Sequence, residues 1–289
     1  MACSNPVWPC VLLAGALTTC VRFSAFDVEP SSEERNLNEK SLTRLAALNR
    51  ERPPASEQPL TFAFLSDTHD GYDAFESIVD AINARPDIEL VLHAGDITDF
   101  GTQQEYHWAY DCFSQLDAPF IAAPGNHDGL AEGKELYSLV FGPTDFAFDY
   151  AGLRFIVFNT NTLEWDLEEP NFAFLEDQAR SSEAPNLLVT HQPPYSEPHL
   201  TPAASERFVE LLSSVTAYFY GHVHEGFARE QVGDTDFIKT ASALDGSWVL
   251  VTTDGATFDV SACRFETCDV EPWLDVAPDA TPHDEEGSE

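Results

Sequence analysis

Pro124-Gly125-Asn126-His127-Asp128 lies near the midpoint of the 289-residue chain and follows a short apolar run, residues 119–123. The run reads as a buried strand. Gly beside Asn and His at the end of such a strand predicts a tight turn that holds polar groups at a sheet edge. Asn offers a neutral amide oxygen there, and His a ring nitrogen or a proton. Alone, the pentapeptide is compatible with an ordinary turn.

Four further stretches share its layout, each a polar cluster placed directly after an apolar run. They are Asp67-Thr68-His69 after 61–65, Gly95-Asp96-Ile97-Thr98-Asp99 after 90–93, His191 after 187–189, and Gly221-His222-Val223-His224 after 218–220. Five of the nine histidines fall in these clusters. A lone His is more often a satisfied core or surface residue than a ligand, but five at strand ends, interleaved with carboxylates, point to a metal centre. The order DxH, GDxxD, GNH[D/E], H, GHxH resembles that of the calcineurin-like metallophosphoesterase superfamily, with all five blocks present between residues 67 and 224. Gly95 to Gly101, Glu105-Tyr106 and residues 124–128 are most similar to the branch containing bacterial class III cyclic-nucleotide phosphodiesterases.

The resemblance implies an α/β fold, a four-layer αββα sandwich of two mixed sheets flanked by helices. It also implies two divalent metal ions, Mn, Fe or Zn, which the all-N/O donor set does not tell apart. Carried over residue by residue, Asp67, His69 and His224 hold the first ion, Asn126, His191 and His222 the second, and Asp96 bridges them. Such a pair neutralises phosphoryl oxygens and lowers the pKa of a shared water, so that a bridging hydroxide exists near neutrality. His127 is implied to face the scissile phosphate as a general acid or phosphoryl stabiliser, with Asp99 holding its other ring nitrogen. Gly95 and Gly221 would let the backbone turn close to the metals. Asp128 reads as a loop-fixing carboxylate, His93 as a structural residue, and His107 and His283 as surface residues.

Coarse periodicity agrees with this fold. Helices are expected at 72–84, 103–116, 172–180 and 203–213, and strands at 88–93 and 186–190. Residues 146–150 and 153–159 read as a hairpin turned at Ala151-Gly152. After His224 the pattern becomes all-β, with strands at 226–232, 236–240, 247–253 and 256–262. Strands alternating with helices place ligands beyond the carboxyl ends of parallel strands.

Residues 60–268 form the expected globular domain. Residues 7–20 are mostly apolar and too short to span a membrane; residues 1–20 read as a secretory signal. Leu17-Thr18-Thr19-Cys20 resembles a bacterial lipobox, so export is the expectation, with lipidation of Cys20 left open; the competing reading is a disordered or mis-started N-terminus. Residues 21–59 read as a polar tether with a short helix, and 269–289 as a disordered acidic tail. Cys112 is expected to be a buried thiol. Cys263 and Cys268 could close a small disulfide loop if the protein is exported.

Fifty acidic residues against fourteen basic ones give a net charge of −36, and only Lys40, Lys134 and Lys239 are lysines. Such a surface repels nucleic-acid backbone, so no nucleic-acid partner is expected. The expected substrate is a small phosphate ester, best read as a phosphodiester. The alternatives are a monoesterase on the same site and a non-catalytic binding module on the same fold. Pocket shape is assigned to loops 129–142, 161–171 with Trp165, and 193–202 with Tyr195 and His199. Lys134 is among the few cations near them, which disfavours highly charged polyphosphates.

Overall fold

The computed structural model describes residues 29–196, 198–269 and 273. The expected signal, most of the acidic tail, Cys20 and His283 lie outside the described residues. In chain order the elements are α1 (Leu37–Leu48), β1 (Leu60–Leu65), α2 (Tyr72–Asn83), β2 (Leu90–His93), α3 (Gln103–Phe113) and β3 (Phe120–Ala122). Next come α4 (Gly133–Val140), β4 (Phe146–Tyr150), β5 (Leu153–Val157), α5 (Phe172–Arg180), β6 (Asn186–Val189), α6 (Pro202–Leu212) and β7 (Ala217–Tyr220). The chain then runs through β8 (Ala228–Val232), β9 (Thr235–Lys239), β10 (Ser247–Thr253), β11 (Phe258–Arg264) and β12 (Thr267–Cys268).

Two six-stranded sheets result, ordered β12-β11-β10-β1-β2-β3 and β4-β5-β6-β7-β9-β8. Strands β1, β2 and β3 run parallel, as do β5, β6, β7 and β9. β10 joins the first sheet antiparallel to β1, and β4 and β8 close the second sheet as antiparallel edges. Runs such as LTFAFL in β1 are apolar on both faces because both faces are covered. One core cluster fills the space between the sheets, where Phe62 and Phe64 of β1 meet Phe219 of β7 edge-on at 5.6 and 5.2 Å. A second lies between the first sheet and α2, α3 and α4, and a third between the second sheet and α5 and α6. This is the αββα sandwich.

Three details depart from the sequence expectation. Residues 129–142, assigned to a pocket-shaping loop, contain α4, whose Leu136, Tyr137 and Val140 are buried. Their helical spacing was hidden behind the flanking glycines Gly129, Gly133 and Gly142. β9 inserts parallel to β7 and separates it from β8, an order that no local pattern encodes. The second arm of the 146–157 hairpin stops at Val157, because Asn159 and Asn161 turn into hydrogen bonds of their own.

Helix α1 packs along the β3 edge of the first sheet. The amide of Asn38 reproduces a strand's pairing there, its Oδ1 accepting from Ala122 N at 2.9 Å and its Nδ2 donating to Ala122 O at 3.0 Å. Behind it, Arg52 grips Glu89 with two bonds of 2.6 and 2.8 Å, and the Tyr150 hydroxyl donates to the same carboxylate at 2.8 Å. Cys263 and Cys268 are disulfide-bonded across the β11–β12 pair, and Cys112 is a buried free thiol.

Asn38→Ala leaves the buried Ala122 N–H without a partner, while Ala122 O keeps the Tyr137 hydroxyl. Urea unfolding should show a loss of about 2 kcal/mol; a loss below about 0.5 kcal/mol would mean that water reaches this edge.

Candidate metal centre

All the parallel strands end at one edge of the sandwich, and the expected ligands sit just past those ends. The turns are tight enough to force four of them, Asp67, His69, Asp96 and His222, into left-handed backbone at φ of 58, 47, 54 and 67°. Asp and His tolerate this region better than most residues, and the strain persists only where packing enforces it. Glycine permits the close approach. A Cβ on Gly125 would lie 2.0 Å from Asp96 N, and one on Gly221 would lie 2.0 Å from Ser66 Oγ and 2.6 Å from Asp67 Oδ2.

The seven expected ligands meet in two groups. In the first, His224 Nε2 lies 3.3 Å from Asp67 Oδ1 and 3.2 Å from His69 Nε2. In the second, His191 Nε2 lies 3.0 Å from Asp96 Oδ2, 3.0 Å from Asn126 Oδ1 and 3.2 Å from His222 Nδ1. Asp96 Oδ2 also reaches His69 Nε2 at 3.7 Å, so one carboxylate oxygen faces both groups. Within each of the trios Asp67–His69–His224 and Asp96–His191–His222, the ligand atoms lie within 4.8 Å of one another.

The donor set fits a pair of divalent cations. His191 Nδ1–H donates to Ala94 O at 2.9 Å, which leaves its Nε2 lone pair aimed at Asp96 and Asn126. Around that atom crowd a carboxylate oxygen, an amide oxygen and a second imidazole nitrogen, all electron-pair donors. A single proton can satisfy only one of them at a time. Burial opposes a charge on His191, yet the Asp96 carboxylate beside it prevails and raises the imidazole to about 9. Burial alone would raise Asp96; the charges of His191, His127 and His69 hold it below the usual carboxylate range. Burial pushes His222 down to about 4. His191 would have to give up a proton to serve as a metal ligand in the second group, whereas His222 is already neutral.

His127 stands beside the first group, its ring edge-on to His69 at 4.6 Å and partly open to solvent. Its main-chain N–H donates to Asp96 Oδ1 at 2.9 Å. The expected partnership with Asp99 takes a different form. His127 Nδ1–H donates to the main-chain carbonyl of Asp99 at 2.7 Å, and the Asp99 carboxylate lies 3.5 Å from that nitrogen but 3.3 Å from His69 Nδ1. The turn at Asp99 points its carbonyl at His127 and its side chain between the two rings. His127 Nε2 is the ring atom left for a substrate.

The surrounding polar residues fix the loops. Asp128 accepts from Ile97 N, Thr98 N and Thr98 Oγ1, each at 3.0 Å, and from Gly125 N at 2.9 Å, stitching two ligand loops together. His93 Nε2–H donates to Thr68 Oγ1 at 2.7 Å and its Nδ1 accepts from Gly95 N at 3.1 Å, a structural role. Glu105, noted in the sequence only as part of the resemblance and given no role there, accepts from the main-chain N–H groups of Asp99, Phe100 and Thr102. Its signal was the capping-box spacing Thr102-x-x-Glu105. Trp165, assigned to a pocket-shaping loop, is buried and donates from Nε1 to Gly125 O at 2.9 Å. It packs the Asn126 loop. Lys134 pairs with Asp166. His199 lies 3.3 Å from Glu164 and edge-on to His222 at 5.6 Å, while Tyr195 is exposed.

The model of the family described as calcineurin-like phosphoesterase matches residues 60–226, more than half of the chain. The chain belongs to this family. Among curated calcineurin-like relatives, it is 30% identical over 172 residues to a probable glycerophosphodiester phosphodiesterase from Arcobacter nitrofigilis, covering 52% of this chain and 62% of that protein. It is 24% identical over 159 residues to a 3',5'-cyclic-nucleotide phosphodiesterase from a Nostoc species, covering 51% of this chain and 60% of that one. The chain thus spans less than two thirds of either relative. Two solved structures share the calcineurin-like fold. A purple acid phosphatase from yellow lupin superposes with a TM-score of 0.57 at 14% identity, over 73% of this chain and 52% of that one. A dimetal phosphatase from Danio rerio superposes with a TM-score of 0.52 at 13% identity, over 72% of this chain and all of the other.

Asp96→Asn removes the charge that faces both groups while keeping an oxygen for His127 N. Metal content of the purified variant should fall by at least half with an unchanged circular dichroism spectrum; full metal content would remove Asp96 from the shared position. His93 gives a separate pH signature. Burial holds its imidazole at about 3 in the folded chain, against about 6.5 unfolded. Its contribution to stability is therefore present above pH 6.5 and is lost as the pH falls toward 3. Between pH 6 and 4 the unfolding free energy of the wild type should drop about 1.4 kcal/mol per pH unit more steeply than that of His93→Gln. Equal slopes would place His93 in contact with solvent.

Proposed function

We propose that this chain is a metal-dependent phosphoric ester hydrolase acting on a phosphodiester. The observation that carries the reading is the convergence of Asp67, His69 and His224 with Asp96, Asn126, His191 and His222 on one site, with His127 beside it. The family and the two phosphodiesterase relatives support the same reaction class. A binding module on this fold would have no need of seven converging donors and a separately held imidazole.

Two divalent ions held by these ligands supply charge neutralisation at the phosphoryl oxygens and an acidified water as nucleophile. The protein's own groups do the rest. Burial of Asp67, His69, Asp96, Asn126 and His191 strengthens the electrostatic contacts among them, while His224 stays exposed. His127, with Nδ1–H committed to the Asp99 carbonyl, presents Nε2 toward the cleft and delivers a proton to the departing oxygen. The Asp99 carboxylate stands between the two rings, 3.3 Å from His69 Nδ1 and 3.5 Å from His127 Nδ1. We also read the chain as exported, supported by the 7–20 apolar pattern and by a disulfide of the kind that persists in oxidising compartments.

His127→Ala should keep its metals, because the ring is absent from the Asp67–His69–His224 and Asp96–His191–His222 trios and meets only His69 and Asp99 in a third. Its rate on alkyl or ribose diesters should fall about 10²–10⁴-fold. On a diester with a nitrophenyl leaving group, which departs without a proton, the loss should stay below about tenfold. Metal loss in this variant would make His127 a ligand, and an equal loss on both esters would make it a phosphoryl stabiliser only.

A further inference from the structure

The mouth of the site has an unusual composition. The seven loops at the ligand edge are residues 66–71, 94–102, 124–132, 158–171, 190–201, 221–227 and 240–246, and they contain no Lys or Arg and thirteen Asp and Glu. Three cations reach these loops from neighbouring elements, and each is engaged. Lys134 of α4 pairs with Asp166, Lys239 of β9 donates to the carbonyls of Val223 and Glu225, and Arg207 of α6 lies 3.7 Å from Glu169. An anionic group on the substrate beyond the scissile phosphate would find no free cation in these loops and a net negative field.

The same loops are apolar at their tips. Of the nine large apolar side chains exposed among the described residues, six stand here: Phe100, Leu163, Leu167, Tyr195, Val223 and Leu244. The others, Leu48, Trp108 and Val232, are scattered over α1, α3 and β8. Phe100 follows Asp99 directly and is 61% exposed, and Val223, 42% exposed, stands between the ligands His222 and His224. Leu163 adjoins Thr162, whose hydroxyl donates to His199 O, and Tyr195 lies on the loop that leaves His191. Leu244 packs on Gly71, next to the His69 turn. Apolar tips therefore flank both ligand groups. Single exposed apolar residues are ordinary, but their concentration on the ligand loops of so acidic a protein marks a binding surface.

We propose that the site takes phosphodiesters with a single negative charge and an uncharged, apolar ester group seated on this rim, and turns away esters bearing a second anionic group. The proposal rests on the phosphodiesterase reading above. Apolar contact supplies binding energy that the missing cations do not, since each buried methylene is worth up to about a fourfold gain in affinity. Nucleotides with additional phosphates and carboxylated esters are the classes excluded.

The test uses the full chain with added Mn and p-nitrophenyl phosphodiesters whose second group is methyl, butyl, octyl or 7-carboxyheptyl. From methyl to octyl, kcat/KM should rise at least tenfold. The carboxylated ester should fall at least tenfold below the octyl ester at low salt, and that gap should narrow at high salt as the field is screened. Phe100→Ser and Tyr195→Ser should shrink the methyl-to-octyl ratio, and Leu163→Lys should shrink the carboxylate penalty. A wild-type enzyme that hydrolyses the methyl ester yet shows no rise with chain length overturns the apolar rim. One that accepts the carboxylated ester as well as the octyl ester overturns the exclusion of anions. Either result leaves the phosphodiesterase reading standing, whereas failure to hydrolyse any of the four with both metals bound removes that reading and this one together.

Discussion

Asp96, itself buried, faces two sets of imidazoles, and the rest of the molecule is arranged to make that possible. Its Oδ2 lies 3.0 Å from His191 and 3.7 Å from His69, while its Oδ1 accepts the His127 main-chain N–H. Burying one carboxylate costs several kcal/mol unless opposite charge and hydrogen bonds compensate. Burying Asp67 and Asp96 together adds to that penalty, since the charge of Asp96 raises Asp67. In the metal-free chain the compensation comes from protons on histidine, chiefly His191. Divalent cations compensate far more completely, so metal binding and the order of this region are one linked equilibrium.

Geometry follows from that requirement. Ligands from five separate loops must approach within about 3–4 Å, which demands that main chains touch where side chains would ordinarily intervene. Gly125 against Asp96 and Gly221 against Ser66 meet the demand. The left-handed turns at Asp67, His69, Asp96 and His222 meet it at a cost of about 1–3 kcal/mol each. Such strain is sustained only by a rigid frame. The frame is the phenylalanine-rich layer between the sheets, with the Asp128 and His93 hydrogen bonds bracing the loops above it.

The ligands were legible in the sequence because the chemistry admits few residue types and the fold places them at strand ends, where apolar runs stop. Asp128 was legible as a brace for a similar reason: a carboxylate beside a ligand but outside the ligand pattern has loop N–H groups within reach. What remained hidden depends on contacts distant in sequence. The insertion of β9 between β7 and β8 is a pairing choice that local periodicity does not record. α4 was masked by three glycines, although the spacing of Leu136, Tyr137, Val140 and Phe141 already described a helix face. The orientation of Asp99 turned on a single peptide unit, since its carbonyl and carboxylate are separated by one bond rotation and only the folded turn decides which faces His127. Trp165 could not be assigned from its residue type, because an indole can stack on a ligand or bond a carbonyl; here Gly125 O claims its N–H.

Charge sets the final constraint. A phosphodiester is an anion, and a chain of net charge −36 repels it at long range. Beyond about one Debye length, roughly 8 Å at physiological ionic strength, salt removes most of that repulsion. Close to the ligands the sign reverses, because two divalent ions carry four positive charges against the two of Asp67 and Asp96. Attraction is thus confined to a short-range spot inside an acidic collar, and an anion is held there only by the phosphate that the metals contact. On the proposed reading, the collar filters the rest of the substrate. Groups with a second negative charge meet repulsion at the distance where the first is held, and apolar groups meet Phe100, Tyr195 and their neighbours. The same acidity that slows capture of anions concentrates divalent cations near the site, which favours loading of the metals on which the attraction depends.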